Sequence, residues 1–332
     1  MRRLYKFKLI YILLVFSVSC AKGDDMSVLE RKPLFYLIVE SSNVKSFVGV
    51  NDVDVYEVDS LGGSSKVDVP VNHYINPKEN ELKIELYPTE SGDVYPENAY
   101  LSVSLRVKSD QNPDEDYSVA SVTFDGGESD LGYLNGNDTV KLDPGEGFAE
   151  SKNGSVIVYP ADIAISEGGG SGLTISRKVE VKNNLPGWKY LTSDDLPDYY
   201  TIPDDEYYPE LERLYEVYDK IQTALLAGKV DPVIDMLDER NAETDKAFYL
   251  DAGETEEGMR DSLESSLQND DLELVPLKKE YVKIRPESNG KLVELIREDG
   301  TAAIGFNFSD GEGSVDYRFI LRREGGEWII AR

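Results

Sequence analysis

The chain has 332 residues, with 35 Lys and Arg against 64 Asp and Glu, a formal charge of -29, one His and one Cys. Affinity for nucleic acids comes mostly from basic side chains that neutralise phosphates, so this balance excludes DNA and RNA as partners. A single thiol and a single imidazole exclude an intramolecular disulfide and zinc sites built from several such ligands. The length allows two domains, and 40% apolar content is enough for folded cores.

The first 20 residues have the parts of a secretory signal peptide. Basic residues precede an apolar run at 9–16, and small residues lead to Cys20. The run is shorter than the roughly 20 apolar residues that a membrane-spanning helix needs. A lone Cys at such a junction resembles the lipidated cysteine of bacterial lipoproteins, although Ser17 stands where that family prefers Leu.

The resemblance implies a membrane anchor. Residues 1–19 would be removed, Cys20 would carry acyl chains such as palmitate, and 20–32 would be a tether. Ala21 after the Cys is similar to lipoproteins sorted to the outer membrane of the bacterial cell envelope. The alternative is an ordinary signal peptide whose cleavage leaves a free thiol. Removal of residues 1–19 leaves 31 basic against 64 acidic residues, a formal charge of -33.

Residues 33–184 are predicted to form an all-β sandwich domain. Apolar residues alternate with polar ones in short runs separated by turn signals, among them Asn51-Asp52. The predicted strands are 34–40, 46–50, 53–58, 81–86, 100–107, 118–124 and 173–181.

A long loop rich in Gly and Asp is predicted at 125–172, with one strand near 156–159. Its acids do not have the regular spacing of a calcium loop, and its glycines at 168–172 lack the Lys of a phosphate-binding loop. We therefore expect a solvated acidic loop, no metal site and no cofactor.

The segment 185–208 is a connector rich in Pro, Tyr and Asp. Its candidate binding residues are Tyr199, Tyr200, Tyr207 and Tyr208. Exposed tyrosines beside acids stack on sugars or bind a partner protein. The alternative is a strap whose rings pack onto the two domains.

Residues 209–332 are predicted to form an α+β domain with three helices packed on a curved antiparallel sheet. Helical spacing begins at Pro209, a second helix opens at Asp231 and continues towards Phe248, and a third opens near Thr255. The predicted strands are 281–285, 291–297, 301–308, 314–322 and 327–331.

The order of these elements, with the segments 225–233 and 317–330, resembles the nuclear-transport-factor-2-like superfamily over roughly residues 205–332. The resemblance implies a cone-like domain with a possible cavity. The Asp-His pair of its isomerase members is absent, so it implies a fold and not a reaction.

The candidate pocket acids are Glu239, Glu243 and Asp245, with Arg240 as a partner. Among 64 acids some pair will lie at a catalytic separation by chance, so a solvated helix face is the alternative. His73 is accompanied by no recognisable nucleophile and is expected to be structural or exposed. No catalytic residue is predicted.

The charge of the exported part has two interpretations: capture of a basic partner, or solubility and adaptation to a saline habitat. A formal charge of -33 attracts basic partners over a Debye length of about 8 Å. We therefore expect a non-catalytic protein that binds another macromolecule, with a cationic protein as the candidate. The alternatives are a carboxylate-dependent enzyme acting on glycans and a small-molecule binder that uses a cavity of the C-terminal domain.

Overall fold

The computed structural model describes residues 32–88, 95–109, 116–127, 149–150, 156–165, 172–181, 183, 185–311 and 313–332. The predicted signal peptide, Cys20 and residues 21–31 of the predicted tether lie outside these ranges. So do 128–148, 151–155 and 166–171, most of the predicted Gly- and Asp-rich loop. Within the described ranges, no helix is both long and apolar enough to cross a membrane.

Within the described residues, the first half is built from ten antiparallel strands in two sheets. The strands are β1 Pro33–Ser42, β2 Lys45–Val50, β3 Val53–Asp59, β4 Ser64–Pro70, β5 Glu79–Tyr87, β6 Tyr100–Ser109, β7 Asp116–Asp125, β8 Ala149–Glu150, β9 Val156–Ile165 and β10 Leu173–Val181. One sheet has the order β4-β1-β6-β7 and the other has β3-β2-β5-β10-β9-β8.

Alternating residues of both sheets form one hydrophobic cluster, called here the first cluster. Phe35 and Leu37 of β1 and Leu82 and Ile84 of β5 are buried in it, and the residues between them are half-buried. This period-two burial is why the strands of this half were predictable. The prediction missed β4, none of whose residues is fully buried.

In the described part of the second half there are four helices, not the three predicted. They are α1 Asp204–Leu226, α2 Asp231–Met236, α3 Asp238–Phe248 and α4 Glu254–Gln268. The predicted second helix breaks at Leu237, whose φ of -98° and ψ of 2° leave the helical range while its side chain is buried. α1 begins five residues before Pro209, because carboxylates at 204–206 favour its first turn.

Two small sheets replace the single curved sheet that was predicted. The strands are β11 Leu272–Leu274, β12 Val282–Glu287, β13 Leu292–Arg297, β14 Ile304–Phe308, β15 Ser314–Tyr317, β16 Ile320–Glu324 and β17 Glu327–Ile330. Their orders are β11-β14-β15 and β12-β13-β16-β17. The predicted strand 314–322 breaks at Arg318 and Phe319, because Phe319 enters the core while Arg318 reaches buried carboxylates.

The connector packs tightly onto the first half. Trp188 and Tyr190 are buried in the first cluster, and Trp188 Nε1 donates to the carbonyl of Ile75 at 2.7 Å. From the second half, Ala247 also lies in this cluster, and its carbonyl accepts from Asn72 Nδ2 at 2.5 Å. Apolar and polar contacts therefore both join the two halves.

Candidate functional site

A cleft of about 930 Å³ lies where the hairpin of β2 and β3, together with β5, faces the connector and β12. Five acids and three bases line it, together with the rings of Phe47, Tyr87 and Tyr200. The acids are Asp52, Asp54, Glu85, Asp198 and Glu287, and the bases are Lys83, Lys283 and Arg285. We call this site the cleft.

Two tight turns fix one end of the cleft. Asn51 and Asp52 have φ values of 55° and 59°, which agrees with the tight turn predicted between β2 and β3. Asn289 and Gly290 of the facing turn also have positive φ, 51° and 77°. The backbone carbonyl of Asp52 accepts a hydrogen bond from the N–H of Ser288 at 2.7 Å. The side-chain Oδ2 of Asp52 accepts one from the N–H of Asn289 at 3.0 Å. The two halves are therefore hydrogen-bonded where the cleft begins.

A network of buried charges adjoins the cleft, and its members Asp54, Arg285 and Glu287 line it; we call this network the floor of the cleft. Glu287 and Glu294 are only 2% and 1% exposed. Arg318 Nη2 lies 2.7 Å from Glu294 Oε2 and 3.2 Å from Glu287 Oε1. Arg285 Nη2 lies 2.6 Å from Glu294 Oε2. Across the halves, the N–H of Asp54 donates to Glu287 Oε2 at 2.9 Å, and Arg318 donates to the Asp54 carbonyl. Three carboxyl groups therefore share two guanidinium groups.

Burial raises the pKa values of two of these carboxyl groups. Burial, together with the nearby Asp54, raises the pKa of Glu287 to about 8. Burial also raises the pKa of Asp54, although Arg285 opposes the shift. Burial disfavours the charge of Arg318, but its contacts with Glu294 outweigh that effect and raise its pKa. Burial therefore favours the protonated form of Glu287, whereas the contact with Glu294 favours the charged form of Arg318.

The rim of the cleft places aromatic rings beside carboxylates. Lys83 Nζ lies 2.5 Å from Asp52 Oδ1 and 2.8 Å from Glu85 Oε1. The Tyr87 hydroxyl donates to Glu85 Oε2 at 3.0 Å. The ring of Tyr200 is 76% exposed. Such a rim binds cations and polar ligands, because the ring faces are electron-rich and the carboxylates accept hydrogen bonds.

The structure separates the four predicted tyrosines. Tyr200 is exposed and lines the cleft. Tyr199 lies in a second cluster, the core of the second half, and Tyr207 packs against it and accepts from the N–H of Ile284 at 3.1 Å. Tyr208 is exposed but does not line the cleft. The strap interpretation therefore fits Tyr199 and Tyr207, and the binding interpretation fits Tyr200.

The predicted pocket acids do not line the cleft. Glu239 contacts Arg322 at 2.6 Å and Lys189 at 2.9 Å. Glu243 contacts Arg332 at 2.5 Å.

Asp245 accepts from the N–H groups of Gly253 and Thr255 at 2.7 and 2.9 Å, where α4 begins. Arg240, predicted as a partner of these acids, donates to Asn241 Oδ1 at 3.0 Å instead. Structural contacts therefore use all three acids.

Side chains fill the interior of the second half, where the resemblance implied a possible cavity. Tyr218, Phe306 and Phe319 are fully buried between α1 and the sheets. The Tyr218 hydroxyl donates to the Phe319 carbonyl and accepts from the N–H of Leu295 at 2.9 Å.

His73 does not line the cleft. Its ring is 3.9 Å from that of Tyr74 and 5.4 Å from that of Phe248, measured between centroids. Burial lowers its pKa well below the usual value. In the part of the chain that the structure describes, no group of three or more His, Cys, Asp or Glu could hold a metal ion.

Sequence reasoning missed the charges on the floor. One signal was present: Glu294 interrupts the apolar run of β13, in which its neighbours are also buried. A buried carboxylate within a core strand requires a cationic partner. Nothing in the sequence indicated that Arg285 and Arg318 would supply it.

The chain matches none of the protein-family models, curated proteins or solved structures with which it was compared. The chemistry of the cleft is therefore argued from its own geometry.

Proposed function

We propose that the chain is a lipid-anchored protein of the bacterial cell envelope, held at the outer membrane through Cys20, and that it binds a cationic protein in the cleft without catalysing a reaction. The basic, apolar and small-residue pattern before Cys20 supports the anchor. The formal charge of -33 after removal of residues 1–19, from 31 basic and 64 acidic residues, supports a basic partner.

One observation carries the binding proposal: a roomy cleft has an excess of carboxyl groups beside an exposed ring. Five acids face three bases, and Tyr200 stands at the rim. A lysine or arginine side chain of a partner would lower the repulsion among these acids and stack on the ring. A neutral ligand would stack on the ring but would not lower the repulsion among the acids.

We also propose two domains within this architecture. The two sheets of the first half share one cluster, which supports a β-sandwich. The helices and sheets of the second half share another, which supports an α+β domain similar to the nuclear-transport-factor-2-like superfamily. Its filled interior favours binding at the cleft over binding inside that domain.

A titration tests the binding proposal. The full chain, purified from membranes in detergent, is titrated with a peptide of four arginines and with a peptide of four glutamines, at low and at physiological salt. We expect the arginine peptide alone to bind, and its affinity to fall with salt. Equal binding of the glutamine peptide would contradict electrostatic capture. Cleavage of an oligosaccharide by the chain would instead favour the carboxylate-dependent enzyme.

A further inference from the structure

We infer that one small monovalent anion, of the size of chloride, binds between the two halves of the chain, at one edge of the Arg332 guanidinium group with Arg240 and His73 beside it. We call these three residues the anion site. They come from three elements, which are the turn Asn72–Tyr74 in the first half, α3, and the segment that follows β17. The inference goes beyond the proposed function, because it concerns neither the cleft nor the anchor.

Arg332 has buried donors that the chain does not satisfy. Its side chain is 1% exposed. Nη1 donates to Glu243 Oε2 at 2.5 Å and to the carbonyl of Ala331 at 2.6 Å. Among the residues that the structure describes, Nε and Nη2 have no hydrogen-bond partner. The main-chain oxygen of Arg332 accepts instead from the N–H of Ile320 at 2.8 Å. Because buried donors of a charged group are almost always paired, these two atoms indicate an acceptor from outside the chain.

The two unpaired atoms form one edge of the guanidinium plane, so their N–H groups point in nearly the same direction. Arg322 shows how this protein uses such an edge. Its Nε lies 2.6 Å from Glu239 Oε1, and its Nη2 lies 2.8 Å from Glu239 Oε2. In Arg332 no described carboxylate occupies the equivalent position, because Glu243 contacts Nη1. One acceptor placed opposite both N–H groups of Arg332 would satisfy them together.

The nearby charges set the charge of the ligand at minus one. Arg240 is half-buried, and its Nη1 donates to the neutral amide of Asn241 at 3.0 Å. Burial lowers the pKa of Arg240, and the charge of Arg332 lowers it further. Glu243 is the carboxylate that pairs with Arg332. Two guanidinium groups against one carboxylate leave one positive charge. A monovalent anion balances it, whereas sulfate or doubly charged phosphate would exceed it.

His73 brings a third polar group to the same place. Its Nδ1 is buried and, within the described ranges, has no hydrogen-bond partner either. Burial lowers the pKa of His73, and the charges of Arg332 and Arg240 lower it further, so both guanidinium groups lie near the ring. A neutral imidazole can carry its proton on Nδ1 and donate it to an acceptor. The first half therefore offers a donor to an anion that Arg332 binds from the second half.

The surroundings restrict the ligand to a small ion. The rings of Trp188 and Tyr190 in the connector lie 5.1 and 4.7 Å from the central guanidinium carbon of Arg332, measured to their centroids. With 1% of the Arg332 side chain exposed, the carboxylate of a partner protein cannot reach its unpaired edge. Because the site includes residues of both halves, the bound ion should stabilise the contact between them. A ligand that binds only the folded chain raises stability with the logarithm of its concentration.

Thermal unfolding and chloride NMR test the site. The full chain, purified in detergent, is melted at constant ionic strength while sodium chloride replaces sodium gluconate, whose anion is too large for a buried site. We expect the melting temperature to rise by roughly 2 to 4 °C for each tenfold increase of chloride above its dissociation constant. The wild-type chain should also broaden the chlorine-35 resonance, and bromide should compete for the same site.

Variants assign the binding to these residues. Arg332→Gln should remove the chloride dependence and the excess line width, and Arg240→Gln should weaken chloride binding by about tenfold. Glu243→Gln should bind chloride more tightly, because the Arg332 guanidinium loses its competing carboxylate. Arg213→Gln makes the same charge change on the exposed face of α1, as a matched control, and should behave like the wild type.

Two results would overturn the anion site. Equal melting temperatures in chloride and gluconate, with no excess line width, would show that only ordered water satisfies Arg332. An equal chloride effect on the wild type and on Arg332→Gln would show a general effect of salt. Both comparisons begin with the wild-type chain, so poor folding of Arg332→Gln leaves the first result decisive, and Arg240→Gln then replaces it in the second.

Discussion

Arg318 links the buried carboxylates of the cleft floor to the first half of the chain. Its guanidinium contacts Glu294 at 2.7 Å and Glu287 at 3.2 Å, and it donates to the Asp54 carbonyl. Arg318→Met keeps most of the side-chain volume but leaves the two glutamates, 1% and 2% exposed, with Arg285 as their remaining partner. Removing one member of a buried ion pair costs about 3 to 5 kcal/mol. We expect a loss of folding free energy in that range.

Urea unfolding followed by circular dichroism measures this loss. The matched control is Arg213→Met on the exposed face of α1, where Arg213 lies 2.7 Å from Glu210. Exposed pairs contribute about 0 to 1 kcal/mol, so the control should lose no more than that. Adding Glu294→Gln to Arg318→Met should restore part of the stability, because one uncompensated charge disappears. Similar losses for Arg318→Met and the control would refute the role given to the buried network.

Three further predictions concern pH, a helix terminus and the anchor. The pKa of Glu287 is raised from 4.5 to about 8, so the native chain holds this proton more tightly than the unfolded chain. This group's contribution to stability should fall by up to about 1.4 kcal/mol per pH unit between about 4.5 and 8, and Glu287→Gln should remove that slope in urea unfolding at several pH values. Asp245→Ala removes two hydrogen bonds at the start of α4 and should cost about 1 to 2 kcal/mol in thermal unfolding, with peptide affinity unchanged. Cys20→Ser should move the protein from the membrane fraction to the soluble fraction, and unchanged fractionation would contradict lipidation.

Local patterns predicted most elements of the first half, because strands such as β1, β5 and β10 bury alternate residues in one shared cluster. The strand at Leu173–Val181 was predicted at its observed bounds for this reason. Local patterns failed where tertiary contacts decide. The break at Leu237 places its side chain in a core, and the break at Arg318 places its guanidinium on a buried carboxylate. Neither Leu237 nor Arg318 is a residue typical of turns, so the sequence did not indicate either break.

The cleft was beyond local prediction for a related reason. Its floor joins Asp54 to Glu287, residues that are 233 positions apart in the chain. The composition predicted that acids would dominate the surface but not which of them would meet. Tyr200 lines the cleft and was among the candidate binding residues of the sequence analysis, and Asp52 had been singled out only as part of a turn. The acids that it selected near α3 instead hold Arg322 and Arg332 and begin α4.

The most direct test of the cleft as the binding site compares two variants that make the same charge change. The affinity of the full chain for the peptide of four arginines is measured for the wild type, Asp54→Asn and Asp68→Asn at physiological salt. Asp54 lines the cleft, whereas Asp68 lies exposed on β4. We predict that Asp54→Asn weakens binding about tenfold, or about 1.4 kcal/mol, and that Asp68→Asn leaves it within twofold. Equal weakening by both would show that the overall charge attracts the peptide and would contradict binding in the cleft.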